Sequence, residues 1–179
     1  MPAAAPDWQD GVMTPNSTSS DHQDVSTTAD LKAVERFCTG CNCSQAVVSV
    51  YAVRYGIDPA LAMRLATGLG GGIGRMGGTC GTLAGAALVL GLEYGPSEPD
   101  PAAKDRVYAK SRALQQRFID RHGSNQCRDL LGFDLAEDAG YQGARDAGVF
   151  KERCPSFVAT AVRLLDELLQ PEAAQETRS

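Results

Sequence analysis

The sequence has little positive charge and no long apolar run. It carries 17 lysine and arginine residues against 22 aspartate and glutamate residues, which gives a formal charge of −5. An acidic chain without a basic cluster lacks the electrostatic footprint of a protein that binds nucleic acid or an anionic membrane surface. The longest apolar run, residues 83–92, is about half the length that a bilayer requires. We therefore expect neither nucleic acid nor membrane among the partners.

The first residues also lack the features of an export signal. The segment MPAAAPDWQDGVM contains no basic n-region, no apolar h-region and no twin arginine. We therefore expect a cytoplasmic protein. Because thiols stay reduced in that compartment, the six cysteines are expected to bind metal or exchange electrons rather than to form structural disulfides.

Histidine is scarce, and the residue patterns of common hydrolases are missing. His22 lies in the N-terminal tail and His122 at a predicted helix end, so neither is a favoured ligand beside the better-placed thiols. The sequence contains no recognisable Ser-His-Asp arrangement and no pair of carboxylates placed for acid–base chemistry. Hydrolase chemistry therefore has no support.

The sequence contains enough apolar residues to form the core of one folded domain. Hydrophobic residues make up 43% of the 179, which is typical of a globular chain. Residues 1–25 and 171–179 are polar and show no periodicity, so we expect both to be disordered tails. The interval 26–170 is expected to form the domain.

Capping residues and apolar spacing predict an all-α fold, a compact bundle of about five to six helices. Asp58-Pro59 and Asp100-Pro101 each combine an N-cap with a proline at the first helical position. Thr79 is the expected cap of the helix that follows the glycine-rich loop, and Pro155 the expected start of the last helix. Residues 132–153 are expected to be loop with a helical piece. No segment alternates with the period of two that a strand requires.

Four of the six cysteines fall at predicted helix N-termini. Cys43 and Cys80 open two helices, Cys127 lies in the first turn after Ser124, and Cys154 takes the N-cap position before the last helix. Free backbone N–H groups at such ends favour a negative group, and this placement is expected to lower the pKa of the thiols. If these helix ends converge, they form a half-buried pocket lined by sulfur, which suits a cluster with four thiolate ligands.

The glycine-rich loop offers a second candidate site. Its segment 72–77 has the form G-x-G-x-x-G, but a helix rather than a strand is predicted before it, which disfavours dinucleotide binding. Glycines instead allow the backbone to wrap closely around a sulfur site and donate N–H groups to it. The candidate cofactor-binding positions are Gly72, Gly74, Gly77, Gly78 and Gly81. A flexible loop with tight helix packing through Gly81 and Gly85 is the alternative.

Cys38 and Cys41 form a separate C-x-x-C segment just before Cys43. No strand context supports a thioredoxin fold around it. The two cysteines could add ligands to the four, act as a redox dithiol, or supply a resolving thiol for Cys43. These alternatives stay open at this point.

The order of these segments resembles one known family. The resemblance rests on the segments NCSQAV around Cys43, GGTCGTLAGAALVLGL around Cys80 and GSNQCRDLLG around Cys127, and on the isolated Cys154 before a terminal helix. Over roughly residues 30–170 they are similar to the small four-cysteine redox-active proteins of the C_GCAxxG_C_C family, named for a Cys-Gly-Ala-x-x-Gly motif. Thr82 stands where that motif has alanine, and Cys38 and Cys41 lie outside the four-cysteine pattern.

The resemblance implies a helical fold and a redox role for the four cysteines. The chain is also similar to the non-haem domain of split-Soret cytochromes, which implies an iron–sulfur site. Because the chain has no C-x-x-C-H segment, a covalent c-type haem is not expected.

Three functions follow as hypotheses. The first is an iron–sulfur protein for electron transfer or redox sensing, with Cys43, Cys80, Cys127 and Cys154 as ligands, a cluster of unspecified type and an unidentified redox partner protein. The second is an enzyme, a metal-free thiol–disulfide oxidoreductase whose nucleophile would be Cys80 or Cys154. The third is a structural module stabilised by zinc, since four thiolates also suit a tetrahedral zinc ion. A homodimer is an additional expectation.

Overall fold

Helix caps and left-handed glycines divide the chain into its elements. The computed structural model describes residues 28–170, and these form an all-α fold, as expected. The predicted tails at 1–25 and 171–179 lie outside the described residues. The helices of the described part, numbered α1 to α8 in chain order, span Ala29–Cys38, Cys43–Tyr51, Pro59–Thr67, Gly81–Tyr94, Pro101–His122, Cys127–Leu131, Asp138–Asp146 and Val149–Leu169.

Residues 28–170 contain eight helices, where five to six were expected. The difference arises mainly after α5, where residues 132–153, expected to be loop with a helical piece, contain all of α7 and the first turn of α8. The left-handed Gly132 ends α6 and the left-handed Gly148 precedes α8, so α7 is the helical piece between two glycine stops. One further turn, the 3-10 helix Ala52–Tyr55, continues α2 up to the left-handed Gly56.

Most predicted caps are confirmed by their hydrogen bonds. The carboxylate of Asp58 accepts from the N–H of Leu61 at 2.8 Å, and that of Asp100 accepts from the N–H of Ala102 at 2.9 Å. Asn42 forms a capping box with Gln45 at the start of α2. The cap predicted at Thr79 is wrong, because Thr79 makes an isolated antiparallel bridge with Gln126 and Cys80 becomes the N-cap of α4.

The start predicted for the last helix is also wrong. Helix α8 begins at Val149, after the left-handed Gly148, and Pro155 lies inside it. Cys154 is therefore within α8 and not at its N-cap. A proline inside a helix removes one N–H donor, but the helix continues because its apolar face is buried, Val158 and Ala161 completely.

Helix α8 is the centre of the bundle. It packs against α1, α2, α4, α5, α6 and α7. Helix α2 in turn packs against α4, and this contact is close: a Cβ on Gly85 would lie 2.9 Å from the carbonyl oxygen of Ser44. The expected tight packing through Gly81 and Gly85 is thus confirmed. Within residues 28–170, no helix combines the length and apolar character needed to cross a bilayer.

The glycine-rich loop folds into a left-handed turn. Five successive residues have φ between 61° and 71°, namely Gly71, Gly72, Ile73, Gly74 and Arg75. Three of them are glycines, which adopt this conformation at little cost, whereas each of the other two is strained by about 1–2 kcal/mol. The turn connects α3 to α4 and packs against α2 and α4.

Candidate functional site

Four thiols meet at one small enclosed cavity in the middle of the bundle. Cys43, Cys80, Cys127 and Cys154 are all buried, with exposed fractions of 9% or less. They line the cavity together with apolar side chains and the hydroxyl-bearing Thr82. No charged side chain is among the described residues that line it. The convergence that the sequence predicted is therefore present.

Each thiol comes from a different helix. Cys43 and Cys127 are the first residues of α2 and α6, and Cys80 is the N-cap of α4, so three of the four helix-end placements are confirmed. Cys154 reaches the same cavity from inside α8. The bundle, and not a local motif, brings the four together, since these residues are up to 111 positions apart in sequence.

Backbone pairing fixes Cys80 beside Cys127. The N–H of Cys80 donates to the carbonyl of Asn125 at 2.8 Å, and the N–H of Cys127 donates to the carbonyl of Gly78 at 2.7 Å. The Arg128 guanidinium adds a bond of 2.7 Å to the carbonyl of Met76. These bonds attach the end of the glycine-rich loop to the start of α6.

The glycines allow the backbone to contact sulfur directly. The backbone N–H groups of Gly71 and Gly81, like those of Ser44 and of Cys43 itself, favour the ionised form of the Cys43 thiol and so oppose the rise of its pKa. A Cβ on Gly81 would lie 2.4 Å from Cys43 Sγ, and one on Gly72 would lie 2.9 Å from the Cβ of Cys127. The sequence analysis predicts that these glycines allow the backbone to approach a sulfur site closely, and Gly81 does so. Gly71 was missed because nothing in the sequence distinguishes it from its neighbours.

The other candidate glycines play different parts. Gly78 supplies the carbonyl that accepts from Cys127, and Gly77 lies against the side chain of Arg128. Gly74 has no close neighbour at its Cβ position beyond the carbonyl oxygen of Gly68, 3.8 Å away, and serves the left-handed turn. These three shape the loop at the site.

Burial raises the pKa of all four thiols, contrary to the lowering expected from helix ends. Burial, with the neighbouring Cys43, raises the pKa of Cys80 to about 12. Burial, with Cys80 and Cys43 nearby, raises that of Cys127 to about 12. The pKa of Cys154 is raised for the same reasons, and that of Cys43 is raised by burial despite its backbone hydrogen bonds. The helix-end effect is outweighed because the site excludes water.

Thr82 contributes a polar contact to this otherwise apolar site. It is fully buried, and its hydroxyl oxygen lies 3.3 Å from Cys80 Sγ. The departure from the alanine of the motif thus places a hydrogen-bonding group directly on one sulfur. Hydrogen bonds to sulfur are among the features that set the potential of a thiolate-ligated centre.

The remaining sulfur and histidine candidates lie outside the cavity. Cys38 is exposed, and the half-buried Cys41 has its Sγ 4.0 Å from Met63 Sδ. The His122 ring packs on Phe118 and Phe157, and Nε2 is buried without a hydrogen-bond partner in the described part of the chain. Burial, with Arg121 nearby, lowers the pKa of His122. His22 is outside the described residues.

The thiols are not arranged around a single ion. Within residues 28–170, no three histidine, cysteine, aspartate or glutamate side chains form a group that could hold one metal ion. A tetrahedral zinc ion would require all four sulfurs at about 2.3 Å from it. The donor set therefore matches four-thiolate ligation in chemistry and in number, while the positions of the sulfurs do not match a single-ion site.

A larger cavity of about 580 Å³ adjoins the thiols. Cys43, Cys127 and Cys154 line both cavities, whereas Cys80 lines only the small one. Arg75 and Tyr141 contribute to the wall of the larger cavity. The sequence does not indicate that either residue lines a cavity, because the two meet only when the fold brings α7 beside the glycine-rich loop.

Comparison with known proteins gives one match. A family model described as "Putative redox-active protein (C_GCAxxG_C_C)" matches residues 41–168, a range that includes all four buried thiols. No curated protein and no solved structure matches the chain.

Proposed function

Because this chain belongs to the C_GCAxxG_C_C family of redox-active proteins, we propose that its four buried thiols bind an iron–sulfur cluster. Through that cluster the protein would transfer electrons or sense the redox state. The proposed ligands are Cys43, Cys80, Cys127 and Cys154. The observation that carries the proposal is the convergence of these thiols, each from a different helix, on one enclosed apolar cavity.

The donor set favours a cluster over other occupants. Four cysteine thiolates are the usual ligands of iron–sulfur clusters. Burial keeps the four thiols protonated when no metal is bound, and as thiolates they would be costly in a cavity with no charged lining, so a bound metal would have to supply the compensating positive charge. A cluster of several iron atoms also separates its cysteine sulfurs more widely than one ion does, which agrees with the lack of a single-ion group among the described residues.

The chain supplies groups that would tune such a centre. The N–H groups of Gly71 and Gly81 on Cys43, and the Thr82 hydroxyl near Cys80, would stabilise negative charge on sulfur. The bound cluster would supply the one-electron chemistry. The protein would hold it, exclude water from it and set its potential through these hydrogen bonds.

The two alternatives have less support. A metal-free thiol–disulfide oxidoreductase needs a thiolate near neutral pH, yet burial raises the pKa of both candidate nucleophiles, Cys80 and Cys154. A structural zinc site needs the single-ion arrangement that residues 28–170 do not provide. The redox partner protein and the homodimer stay predictions.

The test is metal analysis of the protein and of six single-cysteine variants. We expect the anaerobically purified or reconstituted chain to contain iron and acid-labile sulfide in matching amounts, with a visible spectrum that bleaches on reduction. Replacing any of the four buried cysteines with alanine should abolish binding. Cys38→Ala and Cys41→Ala are matched controls and should retain the cluster. Full iron and sulfide in all four buried-cysteine variants would refute the proposal.

A further inference from the structure

The larger cavity beside the thiols has the composition of a small-molecule site. Its volume of about 580 Å³ lies within the range of ligand pockets, which are mostly apolar with a few polar groups that orient the ligand. Aromatic side chains from three helices contribute to its wall, namely Phe37, Tyr141 and Phe150. Tyr141 and Phe150 are neighbours, with ring centroids 5.9 Å apart.

The wall of this cavity contains one positively charged side chain. Arg75 is the single charged side chain among the described residues that line the cavity. Its guanidinium stacks on the ring of Tyr141, 3.9 Å from the centroid, and donates to the Tyr141 hydroxyl at 3.1 Å. A guanidinium has five N–H donors, and Arg75 makes no ion pair with any described residue, so several donors are free to bind a ligand.

The backbone conformation that places Arg75 there is strained. Arg75 has φ of 71° and ends the left-handed turn, a conformation that disfavours side chains other than glycine. Strain of this kind persists where the surroundings enforce it, and it is concentrated at ligand-binding and active sites. Here the enforced conformation places a cation over an aromatic ring at the edge of the cavity.

We propose that this cavity binds a compact organic anion with an aromatic or apolar body, its acidic group held by Arg75. The body would lie against Tyr141 and Phe150, in the direction of Cys43 and Cys154. The inference rests on the proposed function and extends it, because it adds a small-molecule ligand beside the redox centre to the expected protein partner. The binding step itself requires only the cavity and Arg75, and it is independent of any cofactor.

The experiment compares 2-naphthoate with 2-naphthamide, which share a body and differ in charge. Calorimetric titration of the purified full chain should show naphthoate binding about tenfold more tightly than the amide, since a charge-assisted bond to Arg75 is lost in the amide. Arg75→Asn should remove this preference, and asparagine tolerates the left-handed backbone. Arg145→Asn is the matched control: Arg145 lies 5.9 Å from the same Tyr141 ring but does not line the cavity, and its replacement should change nothing.

The outcomes separate this proposal from the previous one. Equal affinity for the acid and the amide, no saturable binding, or an equal effect of the two arginine variants would overturn it. Loss of naphthoate binding after reconstitution with iron and sulfide would overturn it too, because the cavity would then belong to the cofactor. If the chain binds no iron at all, the proposed cluster fails while naphthoate binding can still be measured.

Discussion

At the scale of single residues, Gly81 shows why the motif at Cys80 contains a glycine. The position is the first residue of α4, where alanine would ordinarily be a good choice, and its backbone N–H favours the ionised form of Cys43. The missing side chain leaves the space that Cys43 Sγ fills, since a Cβ would lie 2.4 Å from that atom. The requirement comes from a residue 38 positions earlier in the sequence, and it concerns contact, not backbone conformation.

We expect Gly81→Ala to destabilise the protein by about 1–3 kcal/mol, the usual cost of overpacking a buried site. It should also reduce cluster loading, because the added methyl group displaces a ligand sulfur. Urea unfolding measures the first effect and iron analysis the second.

Gly91→Ala, in the same helix, is the control for this prediction. Nothing lies within 4 Å of a Cβ built on Gly91, so the change should stabilise the helix by about 0.5–1 kcal/mol and leave loading unaltered. A stable, fully loaded Gly81→Ala variant would mean that the close approach is not required.

At the scale of elements, α1 is part of the core although all of it precedes the matched family segment. The match begins at residue 41, whereas α1 spans Ala29–Cys38 and packs along α8 with Ala33 fully buried. A polar contact fixes this pair of helices: the Arg163 guanidinium of α8 donates to the carboxylate of Asp30 at 2.6 Å. Thr28 also donates to Asp30 through its hydroxyl.

This contact predicts a pH-dependent contribution to stability. Burial alone would raise the pKa of Asp30, but the bonds from Thr28 and Arg163 reverse the sign and hold it below the ordinary value of 3.8. A lowered pKa in the folded state stabilises the protein above the unfolded pKa, and the contribution is lost as pH falls through the folded value. Asp30→Asn should therefore cost about 1 kcal/mol at pH 7, a modest figure because Arg163 is exposed, and progressively less below pH ~4.

Thermal or urea unfolding from pH 3 to pH 7 measures the difference between the variant and the parent. Glu35→Gln removes an exposed carboxylate from the same helix and should show no comparable trend. If the deficit of Asp30→Asn were constant across this range, the ionised contact would not be its source.

At the scale of the whole molecule, tertiary burial divides six chemically identical cysteines into two sets. Cys38 is exposed and Cys41 half-buried, while the other four are enclosed in the bundle. Sequence position does not predict this division, since Cys41 and Cys43 are two residues apart and fall in different sets.

We expect alkylation of the metal-free folded protein to follow this division. At pH 7.5 iodoacetamide should modify Cys38 at the rate of an open thiol and Cys80 at least about a hundredfold more slowly, because Cys80 is buried and its pKa is about 12. Peptide mass spectrometry over time measures each rate. In urea the six rates should become similar, and a fast reaction of Cys80 in the folded state would show that the cavity is open.

Local patterns were enough to predict the parts of the fold that depend on neighbours in sequence. The Asp58-Pro59 and Asp100-Pro101 starts were predicted correctly, because capping involves groups two or three residues apart. The same holds for the all-α class and for Cys43 and Cys127 as first residues of helices. Local patterns failed where a long-range contact competes. Thr79 pairs with Gln126 in a bridge and does not cap α4. Pro155 does not begin α8 but lies inside it, because the buried face of that helix keeps the chain helical on both sides of the proline.

The sequence by itself determined which residues carry the chemistry: four cysteines in a fixed order, with a glycine after one of them, in an acidic all-α chain. Only the tertiary structure decided what environment they share. Enclosure of the thiols reversed the expected direction of their pKa shifts, because desolvation outweighs helix-end electrostatics. It also separated Cys38 and Cys41 from the other thiols and placed Arg75 over Tyr141, since contacts between residues far apart in sequence exist only once the helices pack.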